Sequence, residues 1–294
     1  MSRIRFLLLI LFLSISHTQA LEIKIIAYNA LLQQGPLGFL NYKHYRKKFL
    51  LEKIIQNDII GLTEVSDKKI IKNYLKKTSK SHPYFYKSKN AKGLFKNNGG
   101  LLILSKFPII QKKQIIFKSA TGFDHLVQKG ALFVRLKVST DHFIDVVLTH
   151  MQAHKKNKHI KVRKNQLREI SQLIQENNKK NPLILMGDFN IVGDSKEYQS
   201  FKSIFPEYTD LYRYHYNDEG YTYDSNSNPL AFGNVRLRLD YIWINDQVNP
   251  HDTTIKINPI SLNRPERKVD FLSDHFALEA TIHLKHYHQR TGSY

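Results

Sequence analysis

The sequence predicts an α/β fold of two sheets packed face to face with helices on the outside. Two observations carry this. Strand-like runs rich in β-branched and aromatic residues recur along the chain, several close enough to pair as hairpins, and helical periodicity appears between some of them. The run "EIKIIAYN" (22–29) is followed by "HYRKKFLLEKIIQN" (44–57), whose Phe49, Leu50 and Ile54 share one side of a helix. "IIGLTEV" (59–65) is a buried strand, and "SDKKIIKNYLKK" (66–77) starts a second helix on Ser66 as its cap. "PYFYKS", "GGLLILSK", "KQIIFK", "GALFVRLKV" and "HFIDVVLTHMQ" add five strands. The long segment 157–178 then places Ile160, Leu167, Ile170, Leu173 and Ile174 at helical spacing. "PLILMGDFN", "RLDYIWI" and "HFALEATIHL" complete the strands.

The chain has 294 residues, 41% of them hydrophobic, and carries no low-complexity segment, repeat or long linker, so one domain over 21–294 is expected. Residues 1–20 combine two arginines, an apolar run from Phe6 to Ile15 and a polar stretch ending in Ala20. That order is expected of a secretory signal peptide, because the run is shorter than the roughly 20 residues of a spanning helix. Export, to the periplasm or beyond the cell, follows from it. Without cysteine the core is stable with no disulfide. Removing Arg3 and Arg5 with the leader takes 45 basic residues to 43 against 25 acidic ones, a net of +18. This excess suits a polyanionic partner, either an anionic membrane surface or nucleic acid, and equally a repulsive, soluble surface.

Polar residues stand at the ends of successive strands: Asn29, Glu64, His150, Asp188, Asn190, Asp240, Asp274 and His275. Each alone reads as a turn former or a satisfied core polar group. Together, at exits on one edge of a sandwich, they can converge on a single cleft. Carboxylates and amides without cysteine suit a hard cation such as Mg²⁺, or Mn²⁺ in its place, better than Zn²⁺, for which no "HExxH" spacing exists. No Walker loop and no "GxSxG" occurs. Metal plus histidine then points to hydrolysis of a phosphate ester.

The ordered set "AYN" (27–29), "LTEV" (62–65), "GGLLILSKFPI" (99–109), "LTHMQA" (148–153), "VRKNQLREI" (162–170), "GDFN" (187–190), "RLDYIWI" (238–244) and "SDHFAL" (273–278) resembles the endonuclease/exonuclease/phosphatase superfamily, the deoxyribonuclease-I-like fold. The resemblance implies a four-layer α/β sandwich and a phosphoric ester hydrolase. It makes Glu64 the principal Mg²⁺ ligand with help from Asn29, His275 the base that activates water, and Asp240 the group that orients its ring. Asp188 would position the nucleophile or phosphate, Asn190 and His150 would hold phosphate oxygens, and Asp274 would be a further group near the metal. Gly187 is expected to let the chain approach phosphate, with Asp188 and Asn190 facing the same way on an extended path.

Three segments resemble the sphingomyelinases of this superfamily. They are "FDHLVQKGALFVRL", with Asp124 five residues before Lys129; "LTHMQA"; and "GYTYDSNSNPLA" (220–231), which contains Asn228. The resemblance implies cleavage of sphingomyelin to ceramide and phosphocholine by a monomer, with Asp124, Lys129 and Asn228 near the substrate. The alternatives are a secreted Mg²⁺-dependent nuclease and a phosphoinositide phosphatase. No aromatic hairpin of the kind secreted sphingomyelinases use on membranes stands out in "FPIIQKKQIIFKSATGF". Membrane contact is therefore expected from basic residues and from Phe117 and Phe123.

Overall fold

The computed structural model describes residues 21–33, 42–89, 97–262 and 270–284. The expected leader lies outside the described residues. In chain order these form β1 (Leu21–Leu32), α1 (Lys43–Ile54), β2 (Ile59–Val65), α2 (Lys68–Thr78), β3 (Tyr84–Lys87), β4 (Asn97–Asn98), β5 (Leu102–Ser105), β6 (Ile109–Ile116), β7 (Val127–Gln128), β8 (Gly130–Lys137), β9 (Phe143–His150), α3 (Asn157–Asn177), β10 (Leu183–Asp188), α4 (Lys196–Ile204), β11 (Thr209–Asp210), α5 (Leu211–His215), β12 (Tyr223–Asp224), β13 (Arg236–Leu237), β14 (Asp240–Ile244), β15 (Thr253–Asn258) and β16 (Ala277–Leu284).

Two six-stranded sheets carry the architecture, ordered β15-β16-β1-β2-β5-β3 and β11-β14-β10-β9-β8-β6. Each contains one parallel pair, β1 with β2 and β9 with β10, flanked by antiparallel neighbours. The parallel pairs are those joined through a helix, α1 in one sheet and α3 in the other, because a parallel crossover needs a connection long enough to return. Strand alternation then divides the apolar side chains among three cores. Ile25, Ala27, Leu148, Met186 and Ile242 point between the sheets. Ile26, Tyr28, Ile60 and Leu62 point outward against Leu50, Leu51 and Ile54 of α1 and Ile70 and Tyr74 of α2. Val147, Leu185 and Trp243 face Leu167, Ile170 and Leu173 of α3 and Phe201 of α4. Helices, sheet, sheet, helices: the four layers match the expectation.

The sheets stack so that β1 lies over β10, β2 over β9 and β16 over β14. They come especially close at Gly61 on β2, where a Cβ would fall 2.3 Å from Cε of Met186 on β10. Some local expectations change. The cap of α2 is Asp67, whose carboxylate accepts from the amides of Lys69 and Ile70, so Ser66 is displaced by a stronger acceptor one residue on. Phe117 is 8% exposed and belongs to the core under α3, which removes it from the surface. Strand β15 and helices α4 and α5 were not marked by the periodicity.

Candidate active site

Chain direction places both C-terminal ends of a parallel pair on one edge, and the stacking of the two sheets brings the two pairs to the same pole. β1 and β2 deliver Asn29 and Glu64; β9 and β10 deliver His150 and Asp188. Strands β14 and β16 run the other way and contribute from their starts, Asp240 and His275. Three contacts then join the two sheets across the gap. Asn29 Nδ2 donates to Asp188 Oδ2 at 3.0 Å, His150 Nε2 stands 3.9 Å from Glu64 Oε1, and His275 Nδ1 donates to Asp240 Oδ2 at 2.7 Å. A cavity of about 370 Å³ opens over them, lined by Glu64, Asp124, Lys129, His150, Asp188, Asn190 and His275 among others.

Backbone geometry aims two of these carboxylates. Glu64 has φ 61° and sits against Gly100, where a Cβ would come within 3.0 Å of Glu64 Cα. A side chain at 100 would push the strand end that presents Glu64. Gly187, at φ +130°, is required by a different neighbour than expected: its Cβ would strike the Thr149 carbonyl oxygen at 2.1 Å, so it serves the close approach of β9 and not of phosphate. Asn190 adopts φ 53°, which ends the extended path after Asp188. Its amide donates to Asp188 Oδ1 at 2.9 Å and its Nδ2 to the Met151 carbonyl at 3.2 Å. Both residues line the cavity, Asp188 from the end of β10 and Asn190 from the turn that follows, not from a shared strand face.

Burial without matched counter-charge sets the electrostatics. Desolvation, followed by repulsion from Asp240, pushes the Asp188 carboxyl up to about 7. Burial and then Asp274 raise Glu64, and burial also raises Asp274. For His275, burial opposes the charge, but Asp240, Asp274 and Asp188 outweigh it and raise its proton affinity well above the ordinary imidazole range. His150 goes the other way, held neutral by burial and by Lys129. Lys129 Nζ can only donate, so at 3.0 Å it makes His150 Nε2 an acceptor; it also donates to the Met151 carbonyl and pairs with Asp124 at 3.1 Å. The ammonium of Lys129, and not the ring of His150, is thus the donor presented to an incoming anion. Asp124 Oδ2 in turn accepts from the Ala153 amide at 2.8 Å.

Two carboxylate oxygens, Glu64 Oε2 and Asp240 Oδ1, are buried without a hydrogen-bond partner. An orphan acceptor beside carboxyls of raised proton affinity is the donor set a hard cation satisfies. Asp188, Asp240 and His275 also bring one ligand atom each within 4.8 Å of one another. A cation held there would compete with the His275–Asp240 hydrogen bond and consume the imidazole that a base needs, so Glu64 is the better anchor. Asn29 Oδ1 accepts from the Leu31 amide, and its Nδ2 faces Asp188. Asp274 Oδ1 lies 3.2 Å from Ser273 Oγ and, like Asn29, does not line the cavity.

Asn228 is not brought to the cavity. It is fully buried, donates to the Ser273 carbonyl at 2.8 Å and accepts from the Leu230 amide, so it braces the turn that carries His275. Three other residues matter that spacing did not single out. Ser273 Oγ donates to the Asn29 carbonyl at 2.6 Å, tying the His275 turn to β1. Arg46 of α1, wholly buried, donates to the carbonyls of Ala30, Leu31 and Leu272, holding the same two segments from below. The ring of Tyr223 packs edge-on against His275, centroids 5.1 Å apart. Spacing does not reveal these roles, because they depend on contacts between distant segments: Ser273 with Asn29 and Arg46 with Leu272 across more than 200 residues, Tyr223 with His275 across about 50.

Comparison with known proteins identifies the family. Sphingomyelinase C of Bacillus cereus is 31% identical over 218 residues, 64% of this chain and 62% of that protein. Sphingomyelinase C 2 of Leptospira interrogans is 28% identical over 259 residues, 78% of this chain and 40% of its own length. The chain thus spans less than two thirds of either relative. A crystal structure of a beta toxin variant from Staphylococcus aureus with bound magnesium ions superposes with a TM-score of 0.73 at 21% identity, covering 90% of this chain and 100% of that one. The Endonuclease/Exonuclease/phosphatase family model matches residues 27–275. That span runs from within β1 to His275 and encloses every residue that lines the cavity, so the chain belongs to the endonuclease/exonuclease/phosphatase family.

Proposed function

We propose that the chain is a Mg²⁺-dependent phosphodiesterase that hydrolyses sphingomyelin to ceramide and phosphocholine, acting as an exported monomer at a membrane surface. The observation that carries the chemistry is the His275–Asp240 pair. With Nδ1 donating to Asp240, Nε2 is the nitrogen left for a proton from water, and the flanking carboxylates give it the proton affinity of a base. Glu64, with Asn29 and Asp274 near it, would hold Mg²⁺, whose charge would offset that of the phosphate oxygens. Lys129 would add a donor to the same oxygens, while Asp188 and Asn190 would fix the phosphate or the attacking water.

The choice of ester rests on the sphingomyelinase relatives and on Asp124 and Lys129, which meet in the cavity wall as an ion pair. A net charge of +20 for the whole chain is the observation that favours a nuclease instead. The purified chain, given sphingomyelin, lysophosphatidylcholine, a phosphoinositide and plasmid DNA with Mg²⁺ and with EDTA, separates these. Phosphocholine release that stops in EDTA is expected. Plasmid cleavage without phosphocholine release would replace the proposal with the nuclease.

A further inference from the structure

Several histidine rings of this fold have a clear occupation. His82 Nε2 meets the Asn57 carbonyl at 2.8 Å, His215 Nε2 meets Thr253 Oγ1 at 2.9 Å, and His150 and His275 belong to the catalytic cluster. His159 differs. It is 4% exposed, and its Nδ1 is the one histidine nitrogen, among the described residues, that is buried with no hydrogen-bond partner. A bound water or ion is what ordinarily satisfies such an atom, because leaving it bare is costly. Burial, then His154, Lys158 and Arg163, lowers the proton affinity of this ring against the opposing pull of Asp124, so at neutral pH it is uncharged and offers a lone pair.

The ring beside it is a second histidine. His159 stands in the first turn of α3, and the exposed His154, five residues earlier, lies against it with ring centroids 5.3 Å apart and planes inclined at 55°. Residues five apart do not share a face of a regular helix, so the contact depends on the chain turning before α3 begins. His154 makes that turn. Its φ of 76° is left-handed, a conformation that a residue with a Cβ adopts only where its surroundings impose it, and such positions cluster where ligands bind. Buried Arg163 imposes it here: Nη1 donates to the carbonyls of Gln152 at 2.9 Å and His154 at 2.6 Å, while Nε and Nη2 grip the Glu197 carboxylate on α4. The pair is therefore held in place before any ligand arrives.

Two imidazoles on one tetrahedral cation, each bonded at about 2.0 Å, have ring centroids roughly 5.2 Å apart. The observed 5.3 Å matches that spacing. Ring contacts without a metal cover the same range, so the unpartnered Nδ1 and the imposed turn decide between the two. Neutral nitrogen ligands favour a borderline cation such as Zn²⁺ over Mg²⁺, which takes oxygen. Lys155, Lys156 and Lys158, exposed on the same segment, keep its affinity modest by repulsion. We propose that His154 and His159 bind a borderline divalent cation of the Zn²⁺ class, with water in its remaining positions, at a site separate from the oxygen ligands around Glu64. The site borders the catalytic cavity, which His154 lines. It stands apart from the proposed phosphodiesterase function, since binding is read without turnover.

The test is calorimetric titration of the purified chain with Zn²⁺ in excess Mg²⁺, which occupies the oxygen ligands. The parent should bind Zn²⁺ with a Kd of about micromolar order, two imidazoles being half of a full zinc ligand set. His154→Asn should weaken this binding about a hundredfold. Asn accepts a left-handed φ and position 154 is exposed, so this variant keeps the fold. His159→Gln should do the same, and His275→Ala should leave the binding unchanged. In the NMR spectrum of the ring nitrogens, Zn²⁺ should move the signals of both His154 and His159. No such binding in the parent, or binding unchanged in His154→Asn, would leave a ring contact only and overturn the proposal. Binding lost in His275→Ala and kept in His154→Asn would also overturn it, by placing the cation in the catalytic cluster.

Discussion

Strands β8 and β9 carry buried charge at both ends, and the two ends treat it differently. At the pole away from the cavity, Arg135 lies opposite Asp145 in the strand register and donates to it through Nε and Nη2, both at 2.8 Å, while Asn178 Nδ2 supplies a further donor at 2.9 Å. At the other end, where Gly130 lies opposite His150, Lys129 is shared among Asp124, His150 and a carbonyl, and the neighbouring Glu64 keeps an unpaired buried oxygen. A matched, bidentate pair satisfies its own charges and has no capacity left for a ligand. The other end leaves charges that only something from outside can complete, and its carboxyls and imidazoles are displaced from their ordinary proton affinities as a result.

Substitutions can break this contrast in either direction. The largest effect is expected for His275→Ala, which should lower turnover on the order of 10⁴-fold while the chain still unfolds cooperatively; a purified variant with retained activity would remove His275 as the base.

Next comes Asp188→Asn. The folded carboxyl titrates at about 7 and the unfolded one near 3.8, so the native state binds the extra proton between those values. Its stabilising effect is full below about pH 4 and lost as pH rises through 7, by up to ~4 kcal/mol. In EDTA the Asn variant should therefore gain stability over the parent as pH rises from 4 to 8. Parallel melting curves across that range would refute the displaced carboxyl.

Arg135→Met acts at the matched end and should cost about 3 kcal/mol in denaturant unfolding, because it strands Asp145 in the interior. The Mg²⁺ dependence of turnover should not move, and a shifted Mg²⁺ titration would blur the division between the two ends. The smallest change is expected for Glu64→Gln, which should raise the Mg²⁺ concentration for half-maximal activity roughly tenfold, corresponding to one charged ligand weakened. An unchanged titration would move the metal elsewhere, for instance towards Asp188 and Asp240.

What the sequence disclosed followed local rules. The sheets were legible from alternation in runs such as "EIKIIAYN" and "LILMGD", and the site from the polar residues that end them, because a strand's direction fixes which end it presents. Asp67 was missed as a cap because Ser66 and Asp67 are both good caps and only the backbone decides between them. β15 was missed because "TTIKIN" is a weak pattern stabilised by pairing with β16. Phe117 and Asn228 were misplaced for a common reason: which side of a loop faces water is decided by what packs against it. Phe117 turns in beneath α3, and Asn228 turns in to the Ser273 carbonyl. Tyr223, Ser273 and Arg46 belong to the same class, since each acts across the fold on a turn it meets only after folding.

Gly61 gives the stack of sheets a meaning beyond stability. Behind the catalytic pole, the distance between the two layers is gauged by a hydrogen atom against the terminal methyl of Met186. The chemistry above it is divided between the layers, with each essential partner anchored on a different one. The rate of the proposed reaction would thereby be a vernier on the interlayer gap. Misalignment of about 1 Å is enough to lose some 10²-fold in rate. A slight slip of one layer over the other, too small to register as unfolding, would silence the proposed activity first.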